Sequence, residues 1–126
     1  MPISLQTKVQ AVQLLASCDN VQMNGAYLAE DISSLAKALP KKKDFQAAVE
    51  NTYAALKLIS SGAVDVAQLT YSLDGWSAYH YQHIREQGQH ADMRIVFQID
   101  NEQTKVLAFG HRTLPDSVYY TATGRL

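Results

Sequence analysis

The chain has 126 residues, of which 47% are hydrophobic, so it is long enough for one domain with a buried core and too short for two. Its formal net charge of −1 excludes a general positive field that would attract nucleic acid, and any anion site must therefore be local. Three features predict a reduced, cytoplasmic protein with no membrane span: a single cysteine, Cys18; the lack of a signal-peptide pattern; and the lack of a long apolar run.

The N-terminal segment predicts a first helix. Ser4 is suited to the N-cap position, because a serine side chain accepts a hydrogen bond from a backbone N–H of the first turn. The apolar residues that recur at helical spacing are Leu5, Val9, Val12 and Ala16. They predict the buried face of this helix, which turn-forming Asp-Asn and Asn-Gly pairs follow between residues 19 and 25.

Two further helices are predicted on either side of a proline. The apolar residues of the second helix share one face: Ile32, Leu35, Ala36 and Leu39. Pro40 ends this helix, because proline does not fit a helix interior. After the basic corner 41–43, Asp44 is suited to cap a third helix, and Gly62 to close it in the left-handed conformation. The third helix has these apolar residues along one side: Phe45, Val49, Tyr53, Leu56 and Ile59.

After the third helix the apolar period changes to two, which predicts strands. A short strand is predicted over 69–73 and an aromatic-rich strand over 76–85. Residues 94–99 and 106–109 form a hairpin joined by a polar turn at 100–103, and another strand follows a short loop. Helices followed by strands predict an α+β fold, with the N-terminal helices packed on one face of a small antiparallel β-sheet.

Two arginines lie at this hairpin. Alternation along the first strand points Arg94 away from Ile95 and Phe97. Arg112 follows the second strand in phase with Val106, so both guanidinium groups are expected on the open face. Guanidinium groups bind phosphate in two-point geometry, and the sequence therefore predicts an anion site here.

Five short motifs occur in order from near Asp31 to the C-terminus. The first two are L-A-K-A-L-P-K-K-K (35–43) and D-F-Q-A-A-V-E-N-T-Y-A-A-L-K-L-I-S-S-G (44–62). The other three are M-R-I-V-F-Q-I (93–99), G-H-R (110–112) and V-Y-Y-T-A-T-G-R-L (118–126). In their order and spacing, these motifs resemble the RelE/ParE superfamily of toxin–antitoxin systems.

The resemblance implies a single RelE-like toxin domain over residues 1–126. Residues 1–30 have no clear counterpart in the family and are expected to be an N-terminal helical extension, with 25–28 as the candidate for the family's first strand. The RelE branch cleaves mRNA, typically in the ribosomal A site, without a metal or cofactor. The resemblance therefore implies a cytoplasmic, metal-independent endoribonuclease, or mRNA interferase, with a cognate antitoxin, mRNA and the ribosome as partners.

The resemblance also implies which residues carry the activity. The catalytic candidates are Arg94, Arg112, His83, His111 and Tyr119, and the RNA-binding candidates beside His83 on its strand are Arg85 and Tyr81. In the implied reaction a ribose 2′-hydroxyl attacks its own 3′-phosphate, which yields a 2′,3′-cyclic phosphate and a free 5′-hydroxyl. The arginines suit the charge on the phosphate, and either histidine suits proton transfer, so the acid and the base stay unassigned. Tyr119 suits base stacking or phosphate orientation.

The remaining histidines and the function have other interpretations. His80 is expected to be packed or hydrogen-bonded and His90 to be solvated. A zinc site is not expected, because His80 and His83 are three apart on a predicted strand and point to opposite faces. Two alternative functions remain open: a ParE-like inhibitor of a DNA topoisomerase, and a catalytically silent interaction module on the same fold, which the near-neutral charge suggests.

Overall fold

The computed structural model describes residues 2–62, 66–84, 86–113 and 117–126. Over these residues the chain forms four α-helices and a five-stranded sheet, which confirms the predicted α+β class. The helices are α1 (Leu5–Ala16), α2 (Gly25–Ala38), α3 (Lys42–Ser61) and α4 (Val118–Gly124). The strands are β1 (Val21–Met23), β2 (Ala67–Gln68), β3 (Ser77–Tyr81), β4 (Met93–Asp100) and β5 (Gln103–His111). Within the described part of the chain, no helix is both long and apolar enough to cross a bilayer.

The sheet is mixed rather than antiparallel. Its strand order is β1-β5-β4-β3-β2, and β1 runs parallel to β5 while the other neighbours are antiparallel. The parallel pair arises because the chain crosses over through α2 and α3 and the intervening strands before it returns beside β1. The prediction of an antiparallel sheet is therefore wrong at β1.

The two faces of the sheet carry separate apolar clusters. The three N-terminal helices pack on one face, where Phe45 and Leu56 of α3 meet Ile95 and Phe109 of the sheet. The short helix α4 packs on the other face, where Val118 and Ala122 meet the following sheet residues: Val96, Leu107 and Ala108. The second face is therefore partly covered, whereas the sequence predicted it to be open.

The helix α4 replaces a predicted strand. Ser117 begins it, because its side-chain oxygen accepts a hydrogen bond from the N–H of Tyr119. Val118 and Ala122 lie four residues apart on one face and are both buried. The V-Y-Y segment alone favours a strand, and packing of this helical face on the sheet decides the outcome.

The phase of α1 differs from the prediction. Thr7, Ala11 and Leu15 form its buried face, whereas Leu5 is 77% exposed and Val9 is 45% exposed. Thr7 tolerates burial because two of its polar groups are hydrogen-bonded to Ser4. The Ser4 hydroxyl donates to Thr7 Oγ1 and accepts from Thr7 N. Ser4 is the N-cap residue, as predicted.

Some helix ends lie where the sequence predicted them, and others do not. Gly62 closes α3 in the left-handed conformation with φ of +75°, as predicted, and α2 ends before Pro40. Asp44 lies inside the first turn of α3, and Lys41 occupies the cap position instead. The segment 25–28 begins α2, because the Asn24 side chain accepts hydrogen bonds from two N–H groups of the first turn.

The predicted strand over 69–73 is wrong over its whole length. Strand β2 is confined to two residues, and Tyr71 to Leu73 form a 3-10 turn. Tyr71 has φ of +55°, a left-handed conformation that cannot continue a strand. The predicted hairpin is confirmed: β4 and β5 pair through a turn in which Asn101 and Glu102 both have positive φ.

A buried ion pair completes the edge of β5. Strand β1 pairs with β5 only as far as Val106. Beyond that point Arg125 donates to the Leu107 carbonyl at 2.9 Å, and the Phe109 N–H donates to Asp31 at 3.1 Å. Arg125 also holds Asp31 through contacts of 2.8 and 2.9 Å, with side chains only 5% and 6% exposed. Burial raises the pKa of the Asp31 carboxyl, and the Arg125 guanidinium and the Phe109 N–H oppose that rise.

The ion pair predicts a large cost for removing one partner. Asp31→Ala leaves the Arg125 charge buried without its carboxylate, and we expect the free energy of unfolding to fall by about 3–5 kcal/mol. Lys105→Ala removes the exposed Lys105–Asp100 pair and is expected to cost less than about 1 kcal/mol. Urea unfolding of both variants measures the difference, and equal midpoints would refute a structural role for the buried pair.

Candidate active site

Three strand ends bring the candidate residues together at one end of the sheet. In the register of β3, β4 and β5, His80 lies opposite Arg94, and Met93 lies opposite both Tyr81 and His111. Residues that directly follow β3 and β5, or directly precede β4, therefore meet here. The predicted site residues found at this end are Arg94, Arg112, His83, His111 and Tyr119.

Asp92 organises one part of this site. Its side chain accepts hydrogen bonds from both the backbone N–H of His83, at 2.9 Å, and the ring Nδ1 of the same residue. Its Oδ2 also lies 3.9 Å from His111 Nε2, and its backbone carbonyl accepts from Arg112 N at 2.8 Å. We call these four residues the Asp92 cluster. Because the carboxylate occupies Nδ1 of His83, the ring is oriented and Nε2 is the atom left for proton transfer.

His111 is the more buried histidine of the Asp92 cluster. Its Nδ1 accepts a hydrogen bond from the Thr113 N–H at 3.1 Å, so the neutral ring carries its proton on Nε2, facing Asp92. Burial lowers the pKa of His111; the Asp92 charge opposes this effect, while His83 and the nearby arginines add to it. His111 is therefore neutral near pH 7.

A second group lies on the face that α4 covers. The Tyr119 hydroxyl is 3.5 Å from His80 Nε2, and His80 is exposed beside Arg94. Desolvation and the Arg94 charge both lower the pKa of His80, so its ring is neutral near pH 7 and able to accept a proton. The sequence predicted a packed or hydrogen-bonded role for His80, and only the pairing of β3 with β4 reveals its neighbours.

Arg94 is anchored between these two groups. Its Nη1 donates to the carbonyls of Ala91 and Met93, at 2.8 and 2.9 Å, which holds the half-buried guanidinium in place. Its Nε is buried and has no hydrogen-bond partner among the described residues. A buried donor without an acceptor costs about 1–3 kcal/mol.

A cavity opens beside the Asp92 cluster. Its volume is about 300 Å³, and His83, Asp92 and the exposed Arg112 line it together with residues of the loop that follows β3. Glu86 adds a second carboxylate to the lining, and we call this space the Arg112 cavity. A guanidinium group and an oriented imidazole at one opening are the groups that a phosphodiester requires for charge stabilisation and proton transfer.

The two predicted RNA-binding residues are placed differently. Tyr81 is only 8% exposed, and its hydroxyl lies 2.7 Å from the hydroxyl of Thr52. Burial raises the pKa of Tyr81, which stays protonated inside the helix-packed core. Burial leaves little of Tyr81 exposed, although the residue is among those that line a cavity between α3 and β3. Arg85 lies outside the described residues.

Asp92 and His80 are the residues that sequence reasoning missed. Asp92 lies in a polar loop, and only the fold shows that this loop returns it to His83. Among the described residues, no group of three or more His, Cys, Asp or Glu side chains is arranged to hold a metal ion. Comparison of the chain with protein-family models, with curated proteins and with solved structures returns no match. Function must therefore be inferred from the side chains and their geometry.

The buried state of His111 predicts how stability depends on pH. Its pKa in the folded protein lies below the ordinary value of 6.5, so the unfolded chain binds more protons in that range. The free energy of unfolding is therefore expected to fall as the pH drops from about 7.5 through about 6.5. His111→Gln should reduce this dependence, and the lowered pKa of His80 accounts for the part that remains.

The control for this prediction is the exposed loop residue His90. His90→Gln should retain the pH dependence of the original protein, because the substitution leaves His111 in place. Urea unfolding at a series of pH values measures both variants. A pH dependence that is the same in His111→Gln and His90→Gln would contradict the assignment to His111.

Proposed function

We propose that this chain is the toxin of a type II toxin–antitoxin system, with a RelE-like fold and endoribonuclease activity on mRNA. The order of elements supports the proposal. The two helical motifs coincide with the end of α2 and with α3, and the later motifs coincide with β4, the end of β5 and α4. Strand β1 directly precedes α2, although it lies at Val21–Met23 and not at the candidate segment 25–28.

The observation that carries the proposal is the contact between Tyr119 and His80 beside Arg94. A neutral imidazole, a phenol and a guanidinium group thereby meet at the sheet end that also holds His83 and Arg112. Cleavage of RNA by its own 2′-hydroxyl needs these kinds of group: a proton acceptor, a proton donor and cations for the phosphate.

The proposed reaction assigns each group a step. His80 Nδ1 accepts the proton of the ribose 2′-hydroxyl, while the Tyr119 hydroxyl contacts Nε2 of the same ring and orients it. The 2′-oxygen forms a bond to phosphorus while the bond from phosphorus to the 5′-oxygen breaks. His83 Nε2 donates a proton to the leaving 5′-oxygen, and Asp92 holds the ring for that transfer. Arg94 and Arg112 stabilise the negative charge that develops on the phosphate.

The proposed setting follows from the substrate. mRNA and the ribosome place the activity in the cytoplasm, and a cognate antitoxin would restrain it. The net charge of −1 provides no general attraction to RNA, so binding depends on the local arginines. An antitoxin segment with acidic side chains would screen Arg94 and Arg112 and exclude RNA from the site.

Substitution at the site tests the activity directly. We expect His80→Ala to lower the rate of RNA cleavage by about 10²-fold to 10⁴-fold, through loss of the proton acceptor. Arg112→Ala is expected to lower it by about 10²-fold to 10³-fold, through loss of phosphate charge stabilisation. Cleavage is measured on mRNA in a translating extract, with detection of 2′,3′-cyclic phosphate ends.

The matched control is Lys105→Ala, which removes an exposed cation at the opposite end of β5 and should retain full activity. RNA with one 2′-deoxyribose at the cleaved nucleotide should stay intact, because the attacking hydroxyl is missing. Cleavage that persists in both His80→Ala and Arg112→Ala would exclude this site. Intact message with the unaltered protein would exclude the nuclease, and a topoisomerase supercoiling assay would then test the ParE-like alternative.

A further inference from the structure

A second cavity opens along the outer edge of β3. Strand β2 pairs with β3 only at Ser77 and Ala78, and α3 overhangs the part of β3 that follows. The space between α3, this edge and the loop after β3 has a volume of about 500 Å³. We call it the edge cavity. Its size is in the range of cavities that bind small ligands.

The lining of the edge cavity suits an uncharged polar ring. Ala54 and Leu58 of α3 and the ring of Tyr79 provide an apolar and aromatic surface. Side-chain amides come from Asn51 and Gln87, and no lysine or arginine is among the described lining residues. Amides that hydrogen-bond to base edges, beside an aromatic ring that stacks, are the means by which proteins bind unpaired RNA bases. A phosphate, in contrast, would find no cation here.

The edge cavity adjoins the Arg112 cavity. Gln82, Glu86 and Gln89 line both spaces and form the wall between them. His80 also lines the edge cavity, and Ala91, another lining residue, holds Arg94 through its carbonyl. A nucleotide whose phosphate lies among the arginines therefore has an amide-lined cavity within reach of its base.

The wall between the cavities is held by hydrogen bonds. Gln82 Nε2 donates to the carbonyls of Glu86 and Gln89, at 2.9 and 2.8 Å, and Gln82 Oε1 accepts from Glu86 N at 3.0 Å. Asn51 Nδ2 donates to the His83 carbonyl at 2.7 Å, which ties the start of this loop to α3. The two cavities are thus formed before a ligand binds, which lowers the entropic cost of binding.

We propose that the edge cavity binds the nucleobase next to the scissile phosphate and so makes cleavage depend on base identity. This proposal rests on the proposed function, and it adds that the edge cavity selects the substrate by its base. Stacking on an aromatic ring contributes about 1–3 kcal/mol per base, which corresponds to about a tenfold or greater gain in affinity.

Filling the cavity tests the proposal. Ala54→Phe places a ring in the edge cavity, and Ala47→Phe makes the same change at a half-buried alanine of α3 that is not among the lining residues. Isothermal titration with AMP, GMP, CMP, UMP and ribose 5-phosphate measures binding to each protein. We expect at least one nucleotide to bind about tenfold tighter than ribose 5-phosphate, and Ala54→Phe alone to remove that difference.

A second variant provides a test of the proposal if Ala54→Phe does not fold. Gln87→Ala removes an exposed lining amide without filling space, and it should weaken nucleotide binding while binding of ribose 5-phosphate stays unchanged. Equal binding of nucleotides and ribose 5-phosphate would overturn the proposal. So would equal effects of Ala54→Phe and Ala47→Phe.

Cleavage assays separate this proposal from the proposed function. If RNA is cleaved and Ala54→Phe leaves the base preference unchanged, the edge cavity does not select the base, although the nuclease stands. If RNA is not cleaved but nucleotides bind in a base-dependent way that Ala54→Phe removes, the proposed nuclease fails and the cavity is still a base-binding site.

Discussion

The Asp31–Arg125 ion pair is the contact on which the rest of the structure depends. Strand β1 is too short to cover the whole edge of β5, and the exposed backbone groups beyond it must find partners. Asp31 and Arg125 provide those partners and satisfy each other. One pair of side chains thereby joins α2, β5 and the C-terminus. It also holds the end of α4 in place, so that Tyr119 at the start of this helix lies over β3.

The candidate site is assembled from the ends of paired strands. His80, Arg94 and His111 lie within the ladders of β3, β4 and β5, which fixes their backbone positions. His83 and Arg112 lie just beyond the ladders, where hydrogen bonds to Asp92 replace strand pairing. Side chains on rigid elements keep their geometry better than side chains on free loops, which is what proton transfer requires. The same loop that returns Asp92 to His83 also forms the wall of the edge cavity.

The sequence identified many site residues by their chemical type, but it did not show which residues they contact. It singled out both arginines and His83, because guanidinium and imidazole groups suit phosphate chemistry wherever they occur. It predicted that His80 is packed or hydrogen-bonded and not catalytic, and it overlooked Asp92, since each gains its role only from a residue far along the chain. Tyr81 shows the reverse case, because its residue type suits base stacking whereas its position opposite Met93 buries it against Thr52.

The sequence by itself determined the α+β class, the β4–β5 hairpin and the C-terminal end of α3, because period-two alternation, turn residues and a left-handed glycine act over a few neighbouring positions. The tertiary structure alone decided the phase of α1, the helical state of α4 and the parallel pairing of β1. These features depend on which surfaces meet across the sheet. Burial and hydrogen bonding between distant segments outweigh local propensities that differ by about 1 kcal/mol or less per residue.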